Sequence, residues 1–156
     1  MTKETEAKEE HNEQPIFSVQ RIYTKDISFE NPNAPQVFGA AEQPKIDLNL
    51  GVNNRQVDEH LWEVSLKVSA LARNTEDDKV IFEVEVEHAG LFLLKNIPDE
   101  HILRVLGVDC PTIIFPFTRQ LVSQLTSDGG FMPLLLDPFN FAVAYQQRLE
   151  EQHTTH

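Results

Sequence analysis

The chain has 156 residues, with 13 Lys+Arg against 25 Asp+Glu and a formal charge of −12. A length of this kind supports one domain able to bury roughly 70% of its unfolded surface without disulfides or metals. The charge excludes phosphate-backbone binding and attraction to anionic membranes, both of which need clustered Lys/Arg, and favours a basic or apolar protein partner.

Residues 1–14 hold five glutamates and two lysines but no Ile, Leu, Val or Phe. Such a segment cannot offset the entropy of ordering and reads as a disordered acidic tail. It also has no apolar stretch that would make it a secretory signal. The first strand spans about Ile16 to Glu30 and is irregular, with Phe17, Val19, Tyr23, Ile27 and Phe29 on one face together with Arg21 and Lys25. Asn31-Pro32-Asn33-Ala34-Pro35 cannot continue a sheet and reads as a crossover loop. Ile46, Leu48 and Leu50 alternate with Lys45, Asp47 and Asn49 in a short second strand. From Leu61 to Arg73 the alternation is clearest. Trp62, Val64, Leu66, Val68, Ala70 and Ala72 oppose Glu63, Ser65, Lys67, Ser69 and Arg73, and Leu71 is the one apolar residue on the polar side. The polar turn Asn74–Asp78 leads to a fourth strand, Lys79 to Leu93. There Val80, Phe82, Val84 and Val86 point inward and Glu83, Glu85 and Glu87 outward, completing a hairpin.

After Pro98 the period becomes helical. Asp99 to Leu106 forms a short helix that Gly107 stops. A long helix starts at an Asp109 N-cap with Pro111 in its first turn and ends at Gly129-Gly130. Pro116 kinks it or delays its true start. Its first half, through Ile113, Ile114 and Phe117, is apolar on all sides, and the second half narrows to Leu121, Val122 and Leu125. A leucine-rich connection, Phe131 to Leu136, precedes a last helix opened by Asp137-Pro138. Glu150 to His156 form a flexible tail.

Four strands followed by helices define an α+β fold, a four-stranded antiparallel sheet packed on two helices. A helix apolar all round needs a partner on its far side, and the economical supplier is a second copy of the chain. The domain is residues 15–149.

The chemistry expected of enzymes is missing. Six glycines form no phosphate-cradling pattern. His153 and His156 have a metal-like i, i+3 spacing but sit in the tail. Cys110 at a helix start could have a lowered pKa, yet no histidine is paired with it, and a buried structural cysteine is the reading adopted. A lone cysteine points to a reducing compartment. His88 is in phase with Val84 and Val86 and reads as a satisfied interface histidine, a pH-sensitive contact being the sharper alternative. The outward carboxylates serve either solubility or docking of a basic partner. The exposed apolar surplus, Phe38, Phe131, Leu134, Leu135, Leu136 and Phe139, serves either oligomer packing or binding of extended apolar segments.

Three runs carry a family resemblance: RIYTKDISFENPNAP at 21–35, CPTIIFPF at 110–117 and GFMPLLLDPFNF at 130–141. Together they resemble the SecB family of bacterial protein-export chaperones over about residues 15 to 150. The resemblance implies an ATP-independent cytosolic chaperone, a homotetramer built as a dimer of dimers, without cofactor or bound metal. It would hold precursor proteins unfolded and pass them to the SecA translocation motor. It places SecA contact on Asp26, Glu30 and Glu85, with Glu83 where members are often apolar. Client binding falls on Ile46, Leu48 and Leu50, with Phe38, Leu134, Leu136, Phe139 and Tyr145. Subunit packing falls on Val84, Val86, His88, Ile113, Ile114, Phe117 and Leu121. Glu42 stands near the place where some members carry a crossover-loop tryptophan, which moves or weakens the groove's aromatic anchor. A SecB-like chaperone dedicated to one client, such as an antitoxin, and a small cysteine-dependent enzyme are the competing readings.

Overall fold

The computed structural model describes residues 14–39 and 44–154. Glu42, His156 and the tail ahead of Gln14 lie outside them, as does the side chain of His153. The four strands are β1 (Ile16–Glu30), β2 (Pro44–Gln56), β3 (Leu61–Asn74) and β4 (Val80–Lys95). All pairings are antiparallel, in the spatial order β1-β4-β3-β2. The β3–β4 hairpin closes on Asn74, whose N–H donates to the Lys79 carbonyl at 2.9 Å and whose side-chain oxygen accepts from the Glu76 N–H. Asp78 adopts the left-handed φ of 61° that this turn requires.

One face of the sheet is covered. Val64, Leu66, Val68, Ala70 and Ala72 of β3 and Phe82, Val84, Val86 and Phe92 of β4 are buried against the helices. That cover is a continuous helical path. Helix α1 (Asp99–Arg104) passes through a π turn (Val105–Asp109) directly into α2 (Cys110–Asp128). The expected stop at Gly107 and N-cap at Asp109 are therefore both corrected. Asp109 is itself helical, at φ −68° and ψ −44°, and its side chain caps nothing. Gly107 serves packing: a Cβ built there would lie 3.1 Å from the Tyr145 ring.

The last helix, α3, spans Phe141–Thr154 rather than opening at Asp137. Asn140 is the cap, its side-chain oxygen accepting from the Val143 N–H at 3.1 Å. The helix continues through residues expected to be a loose tail from Glu150 onward.

Helix α2 ends where Gly129 and Gly130 let two rings approach the backbone. A Cβ at Gly129 would sit 2.3 Å from the Phe29 ring, and one at Gly130 would sit 2.9 Å from Phe38. Gly130 also takes φ +94°. The leucine-rich connection is tied down by Thr126, whose hydroxyl accepts from the Leu134 N–H at 2.9 Å.

Strand β1 departs from simple alternation. Register shifts between Val19 and Arg21 and between Thr24 and Asp26 mark two bulges. Arg21 and Tyr23 thereby pair with Leu91 and Ala89 on the outward face, and Ile22 and Thr24 turn to the covered one. The expected grouping of Tyr23 and Arg21 with Phe17 and Ile27 is corrected for that reason.

Candidate functional site

Strand β2 is an outer strand, so its covered-face side chains lie at the margin of the helical layer. Ile46 is 37% exposed and Leu48 51%. At one end, Ile46 borders a cavity of about 500 Å³ lined also by Val37, Phe38, Phe82, Phe131 and Leu134. An aromatic series runs along it, Phe38–Phe131 at 5.3 Å and Phe131–Phe82 at 5.1 Å between centroids. At the other end, Leu50 and Val52 face Phe139, Phe141 and Tyr145 across a narrow cleft of about 60 Å³. From Ile46 to Val52 the strand covers roughly 20 Å at about 3.3 Å per residue. The two hollows and Leu48 between them form one apolar trough.

Seven of the eight sequence-derived groove residues border this trough. Leu136 does not. It is 4% exposed and belongs to the core beneath. Sequence reading missed Val37, Val52, Ile81, Phe82 and Met132. Ile81 had no signal in the alternation, because it is the residue skipped between Ala72↔Phe82 and Arg73↔Val80, where the ladder bulges.

The outward face carries the carboxylates in register. Asp26 pairs with Glu87, which pairs with Lys67; Glu30 pairs with Glu83; Glu85 lies between Ser28 and Ser69. Among the described residues the ion pair on these groups is Lys67 Nζ to Glu85 Oε1 at 2.6 Å. The hydrogen bond to Glu85, with the charges of Glu85, Glu87 and Asp26, raises the Lys67 pKa. The four predicted docking residues thus share one face, with Glu87 among them.

Farther along that face, Glu63 gathers three strands. It accepts from Tyr23 Oη, from Lys25 Nζ at 3.1 Å and from Arg55 Nε at 3.0 Å. The Tyr23 hydroxyl foremost, then Arg55 and Lys25, hold its carboxyl at about 2 against an ordinary 4.5, with burial opposing. Burial and the same bond push Tyr23 up to about 12. A depressed carboxyl contributes stability above its unfolded pKa and loses it as pH falls through the folded one. Wild-type unfolding free energy is therefore expected to drop between pH 4.5 and 2. Glu63→Gln should cost about 1.5–3 kcal/mol at pH 7 and flatten that acid limb, as chemical denaturation at a series of pH values would report.

His88 is satisfied inside the protomer. Its Nε2 lies 3.0 Å from Thr24 Oγ1 and its Nδ1 lies 3.3 Å from Thr118 Oγ1. Burial lowers its pKa. Val84, Val86 and Ile114 are likewise covered by the protomer's own sheet and helix, each at most 1% exposed. These four side chains, expected at a subunit interface, are packed within the protomer. Of the other three, Phe117 is 47% exposed, while Ile113 and Leu121 are partly buried against the core. Cys110 is fully buried, and burial followed by the charge of Asp109 pushes its thiol up to about 12. A thiolate nucleophile is unavailable there at neutral pH. Among the described residues no three His, Cys, Asp or Glu side chains are grouped to hold a metal. No described helix is long and apolar enough to cross a membrane.

A sheet with an open apolar trough on one side and a field of carboxylates on the other defines a polypeptide-binding module. A family model described as "Preprotein translocase subunit SecB" matches residues 10–152. The protein-export protein SecB of Desulfotalea psychrophila is 47% identical over 96% of this chain and 97% of its own length. That of Magnetococcus marinus is 46% identical over 90% and 91%. Among solved structures, the SecB-like chaperone of Mycobacterium tuberculosis in complex with an antitoxin peptide shares the fold. Its TM-score is 0.67 at 17% identity, over 80% of this chain and 91% of that one. The chain belongs to the SecB family, and it is a protein-export chaperone.

Proposed function

We propose that the protein holds unfolded precursors in the trough beside β2 and presents them, from the carboxylate face, to the SecA motor in the cytoplasm. The observation that carries this reading is the pair of open side chains, Ile46 and Leu48, set between two apolar hollows. Unfolded chains expose the side chains that such a trough buries, at about 25 cal/mol per Å² before ordering costs, and folded chains hide them. Selectivity for the unfolded state follows, and folding is delayed by mass action without ATP or any covalent step. A basic partner surface complements the outward carboxylates. The side of α2 bearing Ile113, Phe117 and Leu121, flanked by exposed Phe17 and Val19 of β1, packs against other copies in a homotetramer. Several troughs on one assembly raise the effective concentration for a long client.

Dedication to a single client such as an antitoxin is the second reading. It is favoured only by the antitoxin peptide bound to a relative of 17% identity, against 47% for an export protein.

The test is suppression of aggregation of a reduced, chemically denatured precursor. Wild type and Cys110→Ala are expected to protect equally, and Leu48→Asp with Phe38→Ser to lose at least about tenfold in potency. Protection lost in Cys110→Ala would revive thiol chemistry. No protection by wild type would remove the chaperone mechanism.

A further inference from the structure

The chain carries its sulfur in Met1, Cys110 and Met132. Cys110 is sealed in the core, out of reach of a dissolved oxidant. Met132 is its opposite. At 89% exposure it is the most open large apolar side chain among the described residues.

That exposure is built into the fold. The segment carrying Met132 has no regular structure, yet it is fastened on both sides to one residue. The Phe131 N–H donates to the Thr126 carbonyl at 3.1 Å, and the Leu134 N–H donates to the Thr126 hydroxyl at 2.9 Å. Thr126 is itself fully buried, and its hydroxyl donates to the Val122 carbonyl at 3.0 Å. Phe131 packs on the Phe82 and Phe38 rings. Pro133 fixes a backbone angle within the span, and Gly130 supplies the left-handed turn before it. Met132 therefore rides on a short, fastened arch, where it lines the hollow shared with Phe38 and Ile46.

An apolar side chain held in water gains when something covers it, and an unbranched thioether adapts its shape to what arrives. A client side chain entering the hollow supplies that cover. Oxidation reverses the preference. A peroxide delivers one oxygen to a sulfur lone pair, its O–O bond breaks and water leaves; sulfur is oxidised by two electrons and the peroxide reduced by two. The sulfoxide is polar and hydrated, and covering it costs hydration that the thioether does not have.

We propose that Met132 is a reversible oxidation site at the mouth of the client trough, through which peroxides lower the affinity for unfolded chains. The return step is thiol-dependent: two thiols become a disulfide, and the sulfoxide oxygen leaves as water. This inference rests on the trough being the client site, and it adds how that site is regulated.

The test uses the full-length protein and fluorescein-labelled, reduced and carboxymethylated lactalbumin, a chain that stays unfolded. The protein is treated with hydrogen peroxide, catalase removes the excess, and peptide mass mapping locates each added oxygen. Fluorescence anisotropy then compares treated with untreated protein, each variant serving as its own reference. Wild type is expected to gain one oxygen at Met132 and none at Cys110, and to lose about tenfold in affinity. Methionine sulfoxide reductase with dithiothreitol restores it. Met132→Leu shows no change on treatment, and Met132→Gln, polar without any oxidant, starts from the weakened level. An unmodified Met132, an oxidised wild type that binds as before, or an equal loss in treated Met132→Leu overturns the proposal. Leu48→Ser separates it from the reading beneath. If Leu48→Ser weakens binding and oxidation of Met132 does not, the trough stands and only the oxidation site falls. If Leu48→Ser binds as wild type does, the trough reading fails and takes the inference with it.

Discussion

Asp26→Lys combined with Glu85→Lys is expected to weaken SecA binding by at least about 100-fold while leaving client binding within about twofold. Each reversal replaces an attraction with a repulsion, and close interfacial charge pairs couple by about 1.5 kcal/mol or more, so two give about 3 kcal/mol. The two positions occupy neighbouring cross-strand rows, and Glu83, Glu87 and Glu30 complete the field around them. Lys67 already compensates Glu85 at 2.6 Å, so the Glu85 reversal also leaves two ammonium groups facing each other on a solvated surface. The fold should tolerate this, because neither carboxylate lies in the core. Calorimetric titration of SecA at rising ionic strength checks the result: wild-type affinity falls steeply as the Debye length shrinks, and the variant's weak residual binding is nearly flat. Equal loss of SecA and client binding would show that the face only supports the structure.

Phe117→Asp is expected to dissociate the assembly at micromolar concentration, with a fall in mass by light scattering and an unchanged far-ultraviolet circular dichroism spectrum. Phe117 is about half exposed in the protomer, so the substitution costs the isolated fold little, within about 0.5 kcal/mol. In an assembly packed across that side of α2, every copy would bury an unpaired carboxylate, a cost of several kcal/mol each. Ile114→Asp supplies the contrast. Three residues earlier on the same helix, Ile114 has no exposed surface, and its replacement should unfold the protomer. An unchanged mass for Phe117→Asp would remove α2 from the interface.

These two helix positions also show how far the sequence could be read. The expectation that this stretch is apolar all round holds, but the spacing alone could not say which side the chain's own sheet would cover. The sheet is legible because β3 and β4 alternate without interruption, with their carboxylates in one phase. The apolar alternation of strand β2 stops near Leu50. The strand itself extends to Gln56 through Gly51, Asn53 and Asn54, poor strand formers held by thirteen registered pairs with β3. Gly107 reads as a stop because nothing local reveals that Tyr145, some forty positions on, needs the space above it. Asp137-Pro138 has the chemistry of a helix start. The chain instead stays extended through Phe139, which lines the trough, and leaves capping to Asn140. In the trough, the β2 residues were visible as a strand face. Its aromatic wall was only half visible, since Phe38 and Phe82 meet Phe131 only in the folded chain, where Gly130 lets the Phe38 ring approach the end of α2.

The paired bulges of β1 make the strand a question of parity. Before the first, odd-numbered positions such as Phe17 and Val19 face the helices; between the two, even-numbered Ile22 and Thr24 do; after the second, odd-numbered Ile27 and Phe29 do again. Each offset cancels the other, so only a central window is inverted, and that window sends Tyr23 to Glu63 and Thr24 to His88. Loss of a single residue anywhere in the window would leave one offset uncancelled and swap the surroundings of everything on one side of it. Asp26 and Glu30 would then be driven beneath the helices, with Ile27 and Phe29 turned to water. Length in this strand is therefore inherited in steps of two, and the outward charges are kept in place by a count of residues as much as by their identity.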